Sequence, residues 1–163
     1  MGAGLEPAAQ RRYYGCVLPT AHVASALLVG RLARFGVGDS PAIAGALVPD
    51  AIDKTLSWVL GVTPVARHIG HTPLAVGALT LGASAIMGGR WARAFGVAYA
   101  VHLVGDLWHD GHIPWLLPFK RYDQRGQRWH VEFTPDMLIL EALGALIIAL
   151  LLRSPAERET RSD

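Results

Sequence analysis

The chain has 163 residues, few enough for one domain, and apolar and aromatic residues make up 52% of it. Charged residues account for only 17%, against about 25% in soluble domains, and the mean hydropathy is +0.30, which favours an integral membrane protein. The formal net charge is +2, but the basic residues flank apolar segments and form no stripe with stacking aromatic residues, which argues against a nucleic-acid partner.

Five apolar segments follow one another along the chain, and we predict a helix for each. Backbone polar groups in lipid must be satisfied within the segment, and the runs are too long and too uniform for the strands of a barrel. We therefore predict an all-α fold, a multi-pass transmembrane bundle of about four or five helices in the cell membrane. A soluble bundle is the alternative, since only the fifth segment is strongly apolar. The segments run approximately from Val17 to Leu32, Pro41 to Leu60, Pro73 to Gly89, Ala94 to Leu107 and Met137 to Leu152.

The domain boundaries follow from the same segments. Residues 13–153 are predicted to form a single transmembrane helical domain, and the polar ends, 1–12 and 154–163, are predicted to be disordered. Cys16 is the single cysteine, which excludes an intrachain disulfide and a zinc site with several cysteines.

Ionisable residues interrupt the apolar segments at particular ends. If the five segments cross the membrane in serpentine order, the start of the first, the end of the second, the start of the third and the end of the fourth share one face. Buried charges in a membrane are costly and usually face a partner or a cavity, and a bound divalent cation would offset several of these costs together. The residues at these ends are His22, Asp50, Asp53, His68, His71, His102 and Asp106.

Local spacing agrees with a shared site. Asp50 and Asp53 are three residues apart, and His102, Asp106 and His109 follow at intervals of four and three, so each set projects from one helix face. Imidazole and carboxylate ligands suit Zn²⁺ first, with Mn²⁺ and Fe²⁺ as alternatives. Such a centre supports metal-assisted hydrolysis, because the cation lowers the pKa of a bound water.

Each candidate also has a purely structural interpretation, which the sequence leaves open. The alternatives are a packing histidine at His22, an ion pair of Asp53 with Lys54, loop positions for His68 and His109, a plain hydrogen bond between His102 and Asp106, and a pairing of Glu141 within the bundle.

Three successive stretches, "PDAIDK", "ARHIGHTPL" and "HLVGDLWHDGHIPWLLPF", resemble the motifs of the YdjM-like membrane proteins, a family classed as membrane-bound metal-dependent hydrolases. An early histidine, here in "TAHVASALL", belongs to the same pattern, and the resemblance extends from about His22 to Phe119. Two positions depart from the pattern, Lys54 and Ala66, where many members have histidine. The resemblance implies a divalent metal held by His22, Asp50, Asp53, His71, His102 and Asp106.

The resemblance also implies an activity. Asp53 and Arg67 are the candidate catalytic residues, with Arg67 placed to grip an anionic group such as phosphate. We expect a hydrolase that attacks an ester or phosphoester, including a lipid substrate, at the surface of the bilayer. The alternative is a non-catalytic membrane protein that binds or transports a divalent cation. A transporter needs polar groups in both halves of the membrane, and the one-sided distribution of polar residues favours the hydrolase.

Overall fold

The protein is built from helices. The computed structural model describes residues 19–63, 67–110, 114–120 and 134–153, and within these ranges it contains five α-helices and no strand, which confirms the predicted all-α fold. The predicted disordered ends, 1–12 and 154–163, lie outside the described residues. The helices are α1 (Pro19–Ala33), α2 (Ser40–Lys54), α3 (Pro73–Met87), α4 (Gly89–Asp110) and α5 (Pro135–Arg153).

Proline opens three of these helices, because a residue without an N–H loses nothing in a first turn, where that N–H has no partner within the helix. Threonine precedes two of the prolines and caps the helix. The Oγ1 of Thr72 accepts a hydrogen bond from the N–H of Ala75 at 3.1 Å, and the Oγ1 of Thr134 accepts one from Met137 at 3.4 Å. The two Thr-Pro pairs therefore fix where α3 and α5 begin.

Two irregular turns adjoin the helices on the way to the candidate site. The α2 helix continues as a π-helical turn, Thr55–Val59, so that together they match the predicted second segment. A short 3₁₀ turn, Ile69–His71, leads into α3. The α4 helix begins at Gly89 rather than Ala94 and reaches Asp110 rather than Leu107, because charged residues lower the hydropathy of a segment without ending its helix.

Helices α2 and α4 pack against each other at the centre, α1 contacts both of them and α5, and α3 packs on α4. The central pair approach closely at Gly45, where a Cβ atom would lie 2.4 Å from the carbonyl oxygen of Phe95. Small side chains fill this part of the core. The buried cluster between α1, α2 and α4 consists of Ala26, Leu27, Ala42, Ala46 and Ala98.

The apolar content is unevenly distributed over the helices. Within the described residues, α5 is the one helix long and apolar enough to cross a membrane by length and composition. The α3 helix is also apolar but has only 15 residues. Crossing of the membrane by the other helices therefore stays a prediction.

Candidate metal centre

The predicted site residues meet at one end of the bundle. His22 comes from α1, Asp50 and Asp53 from the last turns of α2, His71 from the 3₁₀ turn, and His102 with Asp106 from the second half of α4. All of them are buried except Asp50, which is half-buried. Two groups of these residues bring ligand atoms close enough to hold a metal ion, and His102 belongs to both. The groups are His22 with His102 and Asp106, and Asp50 with His71 and His102.

Asp53 has no exposed surface and is enclosed by hydrogen bonds. Its carboxylate accepts from the backbone N–H groups of His68 at 2.5 Å, Gly70 at 2.7 Å and His71 at 3.2 Å. It also accepts from Nδ1 of the His71 ring at 2.7 Å. Asp53 belongs to neither ligand group, so its carboxylate holds the turn and orients His71.

Gly70 lets the backbone of this turn lie against α2. A Cβ atom at that position would lie 2.7 Å from the carbonyl oxygen of Pro49 and 2.9 Å from Oδ1 of Asp53. The opposite side of the turn is fixed by Tyr99 of α4, whose hydroxyl donates to the carbonyl oxygen of Gly70 at 2.6 Å. The turn that carries His71 is therefore fastened to both central helices.

The His71 ring turns its second nitrogen toward the other candidate ligands. Because Nδ1 donates to Asp53, Nε2 is the nitrogen left to bind, and it lies 3.0 Å from Oδ2 of Asp106 and 3.6 Å from Oδ1 of Asp50. Burial lowers the pKa of His71, but hydrogen bonds to Asp106 and Asp53 outweigh that effect and raise the pKa to about 8. A cation that binds Nε2 would take the place of a proton.

His102 is oriented in the same manner by a backbone group. Its Nδ1 lies 2.6 Å from the carbonyl oxygen of Ala46, which can only accept, so Nδ1 carries the hydrogen. Its Nε2 then faces Nε2 of His71 at 3.3 Å and Oδ2 of Asp106 at 3.5 Å. Hydrogen bonds from the far nitrogen to a carboxylate or a carbonyl are the usual way in which proteins orient metal-binding histidines.

The two candidate carboxylate ligands also contact protein cations. Arg67 binds Asp106 through two hydrogen bonds, Nη2 to Oδ1 at 2.7 Å and Nε to Oδ2 at 3.1 Å. Asp50 pairs through Oδ2 with Nζ of Lys54 at 2.7 Å. In Asp50 the oxygen nearer His71 is Oδ1, and the oxygen bound by Lys54 is Oδ2. In Asp106 the oxygen nearer His71 is Oδ2, which also accepts the longer of the two bonds from Arg67.

The ligand spacing fits a small divalent cation. Four atoms arranged tetrahedrally at about 2.0–2.1 Å from Zn²⁺ lie about 3.3–3.4 Å from one another. Four of the six pairs formed by Nε2 of His71, Nε2 of His102, Oδ2 of Asp106 and Oδ1 of Asp50 are separated by 3.0, 3.3, 3.5 and 3.6 Å. The ligand atoms of Asp50 and His102 lie within 4.8 Å of each other. The donor set of two imidazole nitrogens with carboxylate oxygens suits Zn²⁺, Mn²⁺ or Fe²⁺.

Other residues singled out from the sequence lie in different surroundings. Nδ1 of His68 is shielded from solvent and has no hydrogen-bond partner among the described residues. Glu141 accepts hydrogen bonds from Thr20 and from the N–H of Ala21, so it caps the start of α1. The side chain of His109 lies outside the described part of the structure.

Two contributors to the site escaped the sequence analysis. The carbonyl oxygen of Ala46 orients His102, but residue types reveal nothing about which backbone carbonyl meets a ring. The hydroxyl of Tyr99 fastens Gly70, and the only signal for it is its position three residues before His102 on the same helix face.

Comparison with known proteins identifies the family of the chain. No curated protein and no solved structure matches the chain. The model of one family, described as YdjM inner membrane protein, matches residues 18–160 and so includes every candidate ligand. By this match over most of its length, the chain belongs to the YdjM inner membrane protein family.

Proposed function

We propose that this protein is a multi-pass membrane hydrolase that uses a divalent metal to cleave an ester or phosphoester, with membrane lipids as one substrate class. The observation that carries the proposal is the pair of Nε2 atoms of His71 and His102, which face each other at 3.3 Å. Each ring is held in this orientation through its Nδ1, which bonds to Asp53 in His71 and to the carbonyl oxygen of Ala46 in His102. Two nitrogens so oriented beside two carboxylates are typical of a metal site.

The residues that would hold the cation are His71, His102, Asp106 and Asp50. A divalent cation bound there would lower the pKa of a water molecule and polarise the scissile ester. In the overall reaction the water oxygen bonds to the carbonyl carbon or phosphorus, the bond to the leaving oxygen breaks, and that oxygen gains the proton. In this proposal Asp53 acts by orienting His71.

Arg67 and Lys54 are the groups that an anionic substrate would meet first. Their side chains are 16% and 23% exposed and that of Asp50 is 15% exposed, whereas the His71 and Asp106 side chains are almost fully buried. Positive charge at the accessible side of a site favours an anionic substrate such as a phosphoester. Arg67 would bind the anionic group while it holds Asp106 in place.

The multi-pass arrangement is supported by the helix surfaces. The α3 helix has no charged residue and no buried residue, and Leu81 and Ile86 on it are 73% and 83% exposed. Large apolar side chains are also exposed on α1, α4 and α5, for example Leu32, Val104 and Leu152. A soluble bundle would expose polar residues at such positions, and these surfaces are suited to lipid.

The first experiment measures metal and activity in the same preparation. The protein is purified in detergent, its metal content is determined by elemental analysis, and both are repeated for His102→Ala and Asp50→Ala. We expect bound metal in the parent protein and reduced occupancy in both variants. Metal at background in the parent, or unchanged occupancy in both variants, would contradict the shared site.

A hydrolysis screen then separates an enzyme from a cation carrier. Phospholipids and generic phosphoesters are offered to the parent protein and to His102→Ala, with Arg31→Met as a matched control from the opposite end of the bundle. Metal-dependent hydrolysis that is lost in His102→Ala and kept in Arg31→Met supports the hydrolase. Bound metal without hydrolysis of any substrate would favour the carrier.

A further inference from the structure

The two ligand groups of the candidate centre raise the question of how many cations it holds. Taken separately, the group with His22 and the group with His71 suggest two neighbouring metal positions. Many hydrolases use two metals about 3.5–4 Å apart, joined by shared ligands. If the metal centre of the proposed function exists, the contacts of His102 and of the two carboxylates decide whether it holds one cation or two.

His102 has only one nitrogen for a metal. Its Nδ1 is engaged with the carbonyl oxygen of Ala46 at 2.6 Å, so Nε2 is the nitrogen that either group would have to use. An imidazole nitrogen has one lone pair and binds one cation. The two groups therefore cannot each hold a metal through His102.

The cations beside the carboxylates also disfavour a bridge between two metals. A bridging carboxylate gives one oxygen to each cation, but Oδ1 of Asp106 lies 2.7 Å from Nη2 of Arg67. Likewise, Oδ2 of Asp50 lies 2.7 Å from Nζ of Lys54. A second dication at either oxygen would lie close to a positive charge, which disfavours a bridge. Arg67 also contacts Oδ2 of Asp106, through Nε at the longer distance of 3.1 Å, so for Asp106 this charge disfavours a bridge without excluding a metal.

Ring geometry separates His22 from the other histidines. When Nε2 lies about 2.1 Å from a cation, the centroid of its imidazole ring lies about 3.2 Å from that cation. The centroids of two rings bound to the same cation are then about 5.2 Å apart in a tetrahedral site and about 4.5 Å apart in an octahedral site. The rings of His71 and His102 are separated by 5.3 Å, which fits a common cation. The rings of His22 and His102 are stacked at 3.9 Å with an angle of 25°, which is too close for either geometry.

We infer that the centre binds a single divalent cation and that His22 lies outside its coordination shell. His22 is instead a positioning residue, since it stacks on His102 and its Nε2 lies 3.5 Å from Oδ1 of Asp106. It fits against α4 at Gly105, where a Cβ atom would come within 3.3 Å of the His22 ring. The family resemblance predicts His22 as a ligand, and the ring geometry points to a different role. The ligands of the single cation are Asp50, His71, His102 and Asp106.

Titration with Co²⁺ tests this inference without any enzyme assay. The visible absorption of Co²⁺ depends on the number, type and arrangement of its ligands. We expect the parent protein to bind one equivalent, His22→Phe to bind one equivalent with an unchanged spectrum, and His71→Phe to lose binding or change the spectrum. His22→Phe keeps a flat ring against His102 and removes both nitrogens, and His22→Ala serves in its place if the Phe variant does not fold.

The outcomes distinguish this inference from the proposed function. Two equivalents of Co²⁺ in the parent protein, or a His22→Phe spectrum altered as strongly as that of His71→Phe, would overturn the single-cation inference while the metal centre stands. Absence of Co²⁺ and Zn²⁺ binding by the folded parent protein would overturn both.

Discussion

The two ends of the bundle both join helices through charged side chains, yet they do so in different ways. At one end, Arg31 donates to Asp39 at 2.9 Å and to the carbonyl oxygen of Leu151 at 2.8 Å, and the two side chains are 22% and 24% exposed. At the other end, Asp53 and His71 are fully buried, and Nε2 of His71 faces further acceptors. The first arrangement joins helix ends by one ion pair and one bond to a backbone carbonyl, whereas the second concentrates ligand atoms that a cation would satisfy together.

An aspartate-to-alanine substitution at each end is expected to give the largest difference in stability and metal binding between the two ends. Asp53→Ala leaves three backbone N–H groups and Nδ1 of His71 without their partner, and each buried unsatisfied group costs about 1–3 kcal/mol. We expect Asp53→Ala to lower the free energy of unfolding in detergent by at least about 3 kcal/mol and to abolish metal binding.

Asp39→Ala is the matched control at the opposite end. It removes a partly exposed ion pair with Arg31, so we expect a loss of at most about 1 kcal/mol and unchanged metal affinity. Equal losses for Asp39→Ala and Asp53→Ala, measured by thermal unfolding in the same detergent, would remove the distinction between the two ends.

A smaller difference is expected when a methyl group is added at each end. In Gly70→Ala the new Cβ would lie 2.7 Å from the carbonyl oxygen of Pro49, so the turn that carries His71 must move. Overpacking of this kind costs about 1–3 kcal/mol, and we expect metal affinity to fall by more than about tenfold as His71 leaves its position.

Gly30→Ala provides the comparison on α1. There the new Cβ would lie 3.4 Å from Cβ of Ala42, an ordinary contact, and alanine favours a helix over glycine by up to about 1 kcal/mol. Unchanged or raised stability with unchanged metal affinity is expected. If Gly70→Ala behaved in the same way as Gly30→Ala, in calorimetry and in metal titration, the close fit of the turn against α2 would not matter for the site.

The smallest expected effect comes from a single hydroxyl. Tyr99→Phe keeps the buried ring but removes the hydrogen bond to the carbonyl oxygen of Gly70, so the turn that positions His71 loosens. Groups that hydrogen-bond directly to a metal ligand typically contribute about 10–100-fold to affinity. Tyr99 acts one step further away, through Gly70, so we expect a loss of at most about tenfold. Metal titration measures it.

Phe95→Leu is the control for Tyr99→Phe. Phe95 packs against the ring of Tyr99 in the same buried cluster, and its side chain has no group that could form a hydrogen bond to the turn. We expect lower thermal stability with unchanged metal affinity for Phe95→Leu. A loss of affinity in this variant as large as in Tyr99→Phe would assign the effect to packing and not to the hydroxyl.

Much of the site follows from the sequence because helices impose simple geometry. Serpentine order predicts that His22, Asp50, His71, His102 and Asp106 meet at one end of the bundle, and their positions in the structure agree with this expectation. The five helices themselves follow from five apolar runs. Both inferences depend only on the periodicity and length of the helices, which a sequence determines well.

The division of roles within the site does not follow from the sequence. Asp50 and Asp53 are three residues apart on one helix face, so spacing cannot tell which carboxylate faces a cation and which is enclosed by N–H groups. The fold of the 3₁₀ turn decides this. In the same way, the stacking of His22 on His102 depends on how closely α1 approaches Gly105, which is a matter of tertiary packing.

X-ray absorption at the zinc edge would show whether His71 and His102 share one cation. For the protein purified in detergent with one equivalent of Zn²⁺, we predict nitrogen and oxygen ligands at about 2.0–2.1 Å with the multiple-scattering signal of two imidazole rings. Three imidazole rings would bring His22 into the shell. An all-oxygen shell without imidazole would contradict the metal centre proposed for the facing nitrogens of His71 and His102.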